Sequence, residues 1–194
     1  LCLVSAKLQT SSCSLDKYPE VDFRDETFWK SEKDIQTACN KLYHQLKGFS
    51  HDRRSDELAG KSANEISAGN QSIPPESTAW SAPYECIYTA NKILDFAPRV
   101  PDLSEAELNA WLAQAYFFRA YNYFDLVTKY GGVPLILKSF DDPKDPVIFS
   151  ARSSREEVIQ QCYEDLEFAI KWLPTNAKLP KNKCGDVTRS SALG

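Results

Sequence analysis

A chain of 194 residues, 42% apolar and 12% aromatic, suffices for one domain with a sizeable, aromatic-rich core. Its 23 basic and 27 acidic residues leave a net charge of −4, which excludes the concentrated basic face of a nucleic-acid binder and a polybasic membrane anchor. No apolar run reaches the ~18 residues of a membrane-spanning helix, and the normal apolar fraction excludes a disordered chain.

The N-terminus runs Leu1-Cys2-Leu3-Val4, then through small and polar residues ending Thr10-Ser11-Ser12 to Cys13. Small residues before a Cys near an N-terminus point to a signal-peptidase site with lipidation of that Cys. A plain loop Cys in a frayed terminus is the alternative. Leu15-Asp16-Lys17-Tyr18-Pro19 reads as extended, because the residue before a proline is pushed out of the α region.

The first predicted helix opens near Ser31, with Asp34 three residues on as a capping-box variant. Ile35, Ala38, Cys39, Leu42 and Leu46 form its apolar stripe, and Gly48 is the expected stop. Residues 49–79 read as a long loop, charged at Asp52-Arg53-Arg54-Ser55-Asp56-Glu57 and closing at Pro74-Pro75. Loops of this length are commonly functional. The second helix is predicted from about Ser77 to Phe96, with Trp80, Tyr84, Ile87, Tyr88, Asn91 and Leu94 on one face. Pro83 lies in its first turn, where the missing N–H is tolerated.

Ser104 and Glu107 make a capping box for the third helix, which runs to about Tyr130 and is closed by Gly131-Gly132. Six of the nine residues from 116 to 124 are aromatic, which predicts a central helix with this cluster in the core. Residues 133–137 form a short extended run, and 138–151 a loop. The fourth helix starts at Ser153 or Ser154, with Ile159, Cys162, Leu166, Ile170 and Leu173 as its core face, and ends before Pro174. A fifth begins near Thr188 and is cut off. That, and the absence of any Met, point to a fragment or a processed form. The fold class is all-α, with long loops and almost no strand signal. Antiparallel helix pairs stacked like a repeat protein fit it, although no ~34-residue self-similarity is visible.

Little in the chain signals catalysis. Six cysteines without a C-x-x-C pair, and two histidines, His44 on a polar helix side and His51 in a loop, make a metal site improbable. No phosphate-binding glycine loop or nucleophile elbow is present. Asp56 and Glu57 are adjacent in a loop, whereas a glycosidase pair must face across a cleft. No cofactor is implied. Two polar residues sit on apolar stripes. Arg119 needs a carboxylate partner if buried, with Glu164 or Glu85 as candidates, and reads as structural. Asn91 is expected to hydrogen-bond across a helix interface, also structurally.

Several segments, taken in order, resemble one family. Ser12-Cys13, Leu15-Asp16 and Pro19 are similar to a lipidated Cys followed by Leu-Asp-x-x-Pro. Phe28-Trp29-Lys30-Ser31-Glu32-Lys33-Asp34 with Ala38, Asn40, Tyr43 and Leu46, the acidic turn Ser55-Asp56-Glu57, and Trp80, Tyr84, Ile87, Ala90-Asn91 and Leu94 follow. The most specific stretch is Phe118-Arg119-Ala120-Tyr121 through Phe124-Asp125-Leu126-Val127 to Tyr130-Gly131-Gly132-Val133-Pro134-Leu135. Arg155, Glu157-Val158, Asp165-Leu166, Ala169-Ile170 and Leu173-Pro174 complete the order. Together they resemble the N-terminal third of SusD/RagB-type outer-membrane lipoproteins. Thr10 in place of Leu before Cys13, and Asp186 where the family often has Arg, depart from its pattern.

The resemblance implies a tetratricopeptide-like helical domain over residues 13–194, incomplete at its C-terminus, preceded by a signal-peptide remnant at 1–12. It implies a lipid anchor on Cys13 and a place on the outer face of the outer membrane. It also implies non-catalytic capture of a glycan or other nutrient for a SusC-like, TonB-dependent transporter. Within the chain, Trp80 is the candidate ligand contact. The alternatives are a soluble helical-repeat adaptor for a protein partner and a glycan-cleaving enzyme.

Overall fold

The computed structural model describes residues 28–44, 46, 65, 68–70, 72, 76–142, 144–175 and 186–193. They form α1 (Glu32–Tyr43), α2 (Thr78–Phe96), α3 (Glu105–Tyr130), α4 (Arg155–Trp172) and α5 (Arg189–Leu193). Two 3-10 turns, Ala97–Arg99 and Pro146–Phe149, complete the set. No strand occurs among the described residues, so the all-α reading is borne out.

Helix starts follow the capping residues. At α3, the Ser104 hydroxyl accepts from the Glu107 N–H at 3.3 Å, and the Glu107 carboxylate accepts from the Ser104 N–H at 3.0 Å. Ser154 and Glu157 repeat the pair at α4, at 3.2 and 2.7 Å. These bonds hold both carboxyls below the ordinary 4.5. At Glu107 the Ser104 hydroxyl contributes most, at Glu157 the Ser154 backbone N–H. A carboxyl with a lowered folded-state pKa stabilises above its unfolded value, and that contribution is lost as pH falls through the folded value. Carboxyl NMR titration is therefore expected to give midpoints below 4.5 for both glutamates, with first-turn amide protection of α3 and α4 fading below that pH. Midpoints at or above 4.5 would contradict the caps.

Ring and side-chain pairs fix the packing. Trp80 meets Tyr130, Tyr84 meets Tyr123, and Asn91 bonds Arg119, so α2 and α3 run antiparallel. Tyr116 on Phe168, Arg119 on Asp165 and Cys162 on the Ala120 carbonyl make α3 and α4 antiparallel too. Two apolar cores result. One joins α1, the C-terminal half of α2, the N-terminal half of α3 and the end of α4. The other joins the N-terminal half of α2, the C-terminal half of α3, Val133 and the start of α4.

Several sequence expectations need correction; one is Pro83, which lies inside α2 as its sixth residue and not in its first turn. Helix α1 ends at Tyr43, so Leu46 lies beyond the helix and is exposed, while Ile35, Ala38, Cys39 and Leu42 are buried. Gly48 lies outside the described residues. Helix α4 is turned from the expected stripe. Val158, Cys162, Asp165 and Ala169 face inward at i, i+4, i+7 and i+11, and Ile159, Leu166 and Ile170 flank them half-buried. The 116–124 cluster is only partly core. Phe118 and Tyr123 are buried, but Tyr121 is 41% and Phe124 55% exposed. With Phe117, Ile159 and Tyr163 they line a groove of about 430 Å³ between α3 and α4.

Candidate functional site

After α3 the chain turns at Gly131-Gly132 and crosses α2 as a strap, residues 133–141. The strap pairs with no strand; apart from the Val133 carbonyl, which accepts from the Ser153 N–H at 3.1 Å, side chains satisfy its backbone, as buried peptide groups require. The Tyr84 hydroxyl donates to the Pro134 carbonyl at 2.9 Å. The Tyr123 hydroxyl donates to the Ile136 carbonyl at 3.0 Å and accepts from the Ile136 N–H at 2.7 Å. Asn91 Nδ2 donates to the Ile136 carbonyl at 2.7 Å and reaches the Lys138 carbonyl at 3.3 Å. Asp95 accepts from the Ser139 N–H at 2.8 Å, and the buried Lys92 pairs with Asp141. Tyr84, Asn91 and Asp95 stand at i, i+7 and i+11, so one stripe of α2 holds the strap's length.

Between α2 and the strap lies a groove of about 240 Å³, lined by Trp80, Tyr84, Tyr88, Phe140 and Ile148 among others. The Tyr88 and Phe140 rings meet at 5.1 Å and 59°. At the far end the Arg152 guanidinium lies 5.4 Å from the Trp80 ring and donates to the carbonyls of Tyr130 and Gly132 at 3.3 Å each. Burial pushes the Tyr84 hydroxyl up to about 12, against the pull of Arg152. Tyr84 is therefore a neutral donor at physiological pH.

Trp80 is half-buried in this groove's wall, with Tyr84 at 5.3 Å and the Tyr130 ring edge-on at 5.0 Å. Asn91 and Arg119 lie deeper, where the two cores meet. Arg119 forms a forked pair with Asp165, at 2.7 Å from Nε and 2.6 Å from Nη2, and donates to Asn91 Oδ1 at 3.0 Å. Gln161 completes the cluster with a 3.0 Å bond to Asp165. The partner is thus Asp165 and not Glu164 or Glu85, both of which are exposed. The rotation of α4 carries residue 165 toward α3 and residue 164 to solvent. Asn91 serves both neighbours, its oxygen taking Arg119 and its amide nitrogen the strap.

Cys13, His51, Asp56 and Glu57 lie outside the described residues, and His44 is exposed just past α1. Cys39, Cys86 and Cys162 are buried thiols outside any disulfide. Burial raises them to about 12, 12 and 11, which leaves them protonated and unreactive. Among the described residues no three His, Cys, Asp or Glu side chains gather as a metal site would need, and no helix is long and apolar enough to cross a membrane. Sequence reasoning missed Phe140, Asp141, Ile148 and Arg152, because they stand in an irregular loop without periodicity. Lys92 carried a readable signal, eight residues after Tyr84 on the face that meets the strap.

Antiparallel helix pairs that hold an irregular strap over an aromatic groove define a tetratricopeptide-like helical frame. A family model described as "Starch-binding associating with outer membrane", SusD-like, matches residues 15–193. SusD-like protein P38 of Formosa agariphila is 30% identical over 186 residues, 88% of this chain and 36% of that protein. A SusD-like protein of Bacteroides ovatus is 27% identical, with 88% and 34% covered. Among solved structures, a SusD-like protein of Bacteroides fragilis superposes with a TM-score of 0.69 at 25% identity, covering 87% of this chain and 34% of that one. A laminarin-binding SusD-like protein gives 0.66 at 25%, covering 84% and 38%. The chain belongs to the SusD-like family and spans about a third of the length of these relatives.

Proposed function

We propose that this chain is the N-terminal part of a non-catalytic surface lipoprotein, anchored through Cys13, that captures a glycan and passes it to a SusC-like, TonB-dependent transporter in the outer membrane. The observation that carries this reading is the family match over residues 15–193, in a family described as starch-binding and associated with the outer membrane. The likeness to a laminarin-binding protein supports a polysaccharide as the cargo. Residues 1–12 act as the remnant of a lipoprotein signal peptide, and residues 13–194 as the helical domain. The strap, pinned by five α2 and α3 side chains, is a preorganised surface of the kind that binds at low ordering cost.

The test is made on the intact gene product in its native cell. Labelled fatty acid is expected to enter the wild-type protein and not Cys13→Ala, and external protease is expected to cleave the wild type on whole cells. An unlabelled wild type that resists protease would overturn the surface-lipoprotein reading in favour of a helical adaptor.

A further inference from the structure

We propose that the groove between α2 and the strap is a sugar subsite, which seats one pyranose ring against Tyr88 and Phe140 and orients the glycan through Asp141 and Arg152. This rests on the glycan-capture reading and gives the ligand a place within this chain.

Size is the first ground. The groove has a volume of about 240 Å³, room for a sugar ring. Surface chemistry is the second. A pyranose presents a flat face of C–H groups, and such faces stack on aromatic rings. The Tyr88–Phe140 pair, tilted at 59° with both rings half-buried, offers a wedge of that kind.

Polar placement is the third ground, because sugar sites combine apolar faces with a few convergent donors and acceptors. Asp141 directly follows Phe140. Its Oδ1 is bonded to Lys92 while the side chain stays 60% exposed, so Oδ2 is available to sugar hydroxyls. Lys92 itself is buried over the Tyr88 and Phe96 rings, which fixes the carboxylate beside the wedge. At the opposite end, Arg152 is exposed and spends Nη1 on two carbonyls, which leaves Nε and Nη2 as donors. Trp80 and Tyr88 are eight residues apart on α2, about 12 Å along the helix. One ring on the wedge therefore lets the next sugar reach Arg152.

The intact gene product is to be screened on an array of α-glucans, β-glucans, mannans, xylans, galactans and sialylated glycans. Its best glycan is then titrated against wild type, Phe140→Ala, Tyr88→Ala/Phe140→Ala and Asp141→Asn, with Tyr163→Ala in the other groove as control. A loss of about tenfold or more in the double variant is expected, with smaller losses in Phe140→Ala and Asp141→Asn and an unchanged control; because Asp141→Asn weakens the partner of the buried Lys92, each affinity is read well below that variant's own melting point. Phe140 belongs to the strap, so its variant reports even where the double variant does not fold. Wild-type binding that the Phe140 and Asp141 variants retain in full would overturn the subsite and leave glycan capture standing. A wild type that binds no glycan on the array would overturn both.

Discussion

Replacing Asp165 by Ala is expected to destabilise the intact protein by about 3–5 kcal/mol, the range for breaking a buried ion pair by removing one partner. The side chains of Arg119 and Asp165 are 6% and 2% exposed, so water cannot take over the lost contacts. The variant strands a guanidinium that cannot deprotonate, and it also orphans the Gln161 amide that Asp165 accepts. Asn91 remains as a hydrogen-bond partner of Arg119, at 3.0 Å, beside the Tyr116 ring at 5.1 Å, while the Asn91 amide nitrogen is committed to the strap. Removing both charges together, as Arg119→Met/Asp165→Leu, is expected to restore most of the loss, because the desolvation cost disappears with the pair. Chemical denaturation of the two variants checks this. A loss below about 1 kcal/mol for Asp165→Ala would place the pair in the weak, solvated class.

Gly132→Ala is expected to cost at least about 1–3 kcal/mol by overpacking. An added Cβ would stand 2.3 Å from the Ser153 carbonyl oxygen and 3.4 Å from its carbon. Both are backbone atoms, so no side chain can swing aside. The strap and the start of α4 must separate instead, across the bond from the Ser153 N–H to the Val133 carbonyl at 3.1 Å. The same shift pulls the Gly132 carbonyl from Arg152, so loss of stability and loosening of the groove go together. Gly131→Ala separates this steric effect from a conformational one. Its Cβ would meet nothing within 4 Å, but its φ of 71° and ψ of −133° suit glycine only, and the strain costs about 1–3 kcal/mol. Thermal melting ranks the variants, and amide exchange at Val133 and Ser153 is expected to rise in Gly132→Ala well above Gly131→Ala. Equal exchange would mean that the close approach to Ser153 relaxes without consequence.

How much of the molecule was legible depended on whether the signal is local. Ser104 with Glu107 and Ser154 with Glu157 are three-residue signals, and both mark the observed starts of α3 and α4. Helix ends were less secure. The stripe that included Leu46 ran past the end of α1 because its spacing continued although the helix did not. The aromatic cluster at 116–124 showed that α3 is crowded, but hydrophobicity cannot tell a core position from a groove wall. The outward positions of Tyr121 and Phe124 were not legible for that reason.

The candidate site was legible in half. Trp80, Tyr84 and Tyr88 share a helix face that periodicity reveals. Phe140, Asp141 and Arg152 lie in a stretch without period and join that face only when the chain folds back over α2. By itself the sequence determined the all-α class, the helix starts, the need for a partner at Arg119, and the family, because each is written in short-range spacing or in ordered motifs. Tertiary structure alone decided that the partner is Asp165 and that the strap closes a groove. It did so because a helix turns 100° per residue, so the packing of α4 on α3 chooses between neighbours in sequence, and because the strap's backbone finds its hydrogen bonds on side chains more than forty residues away in α2.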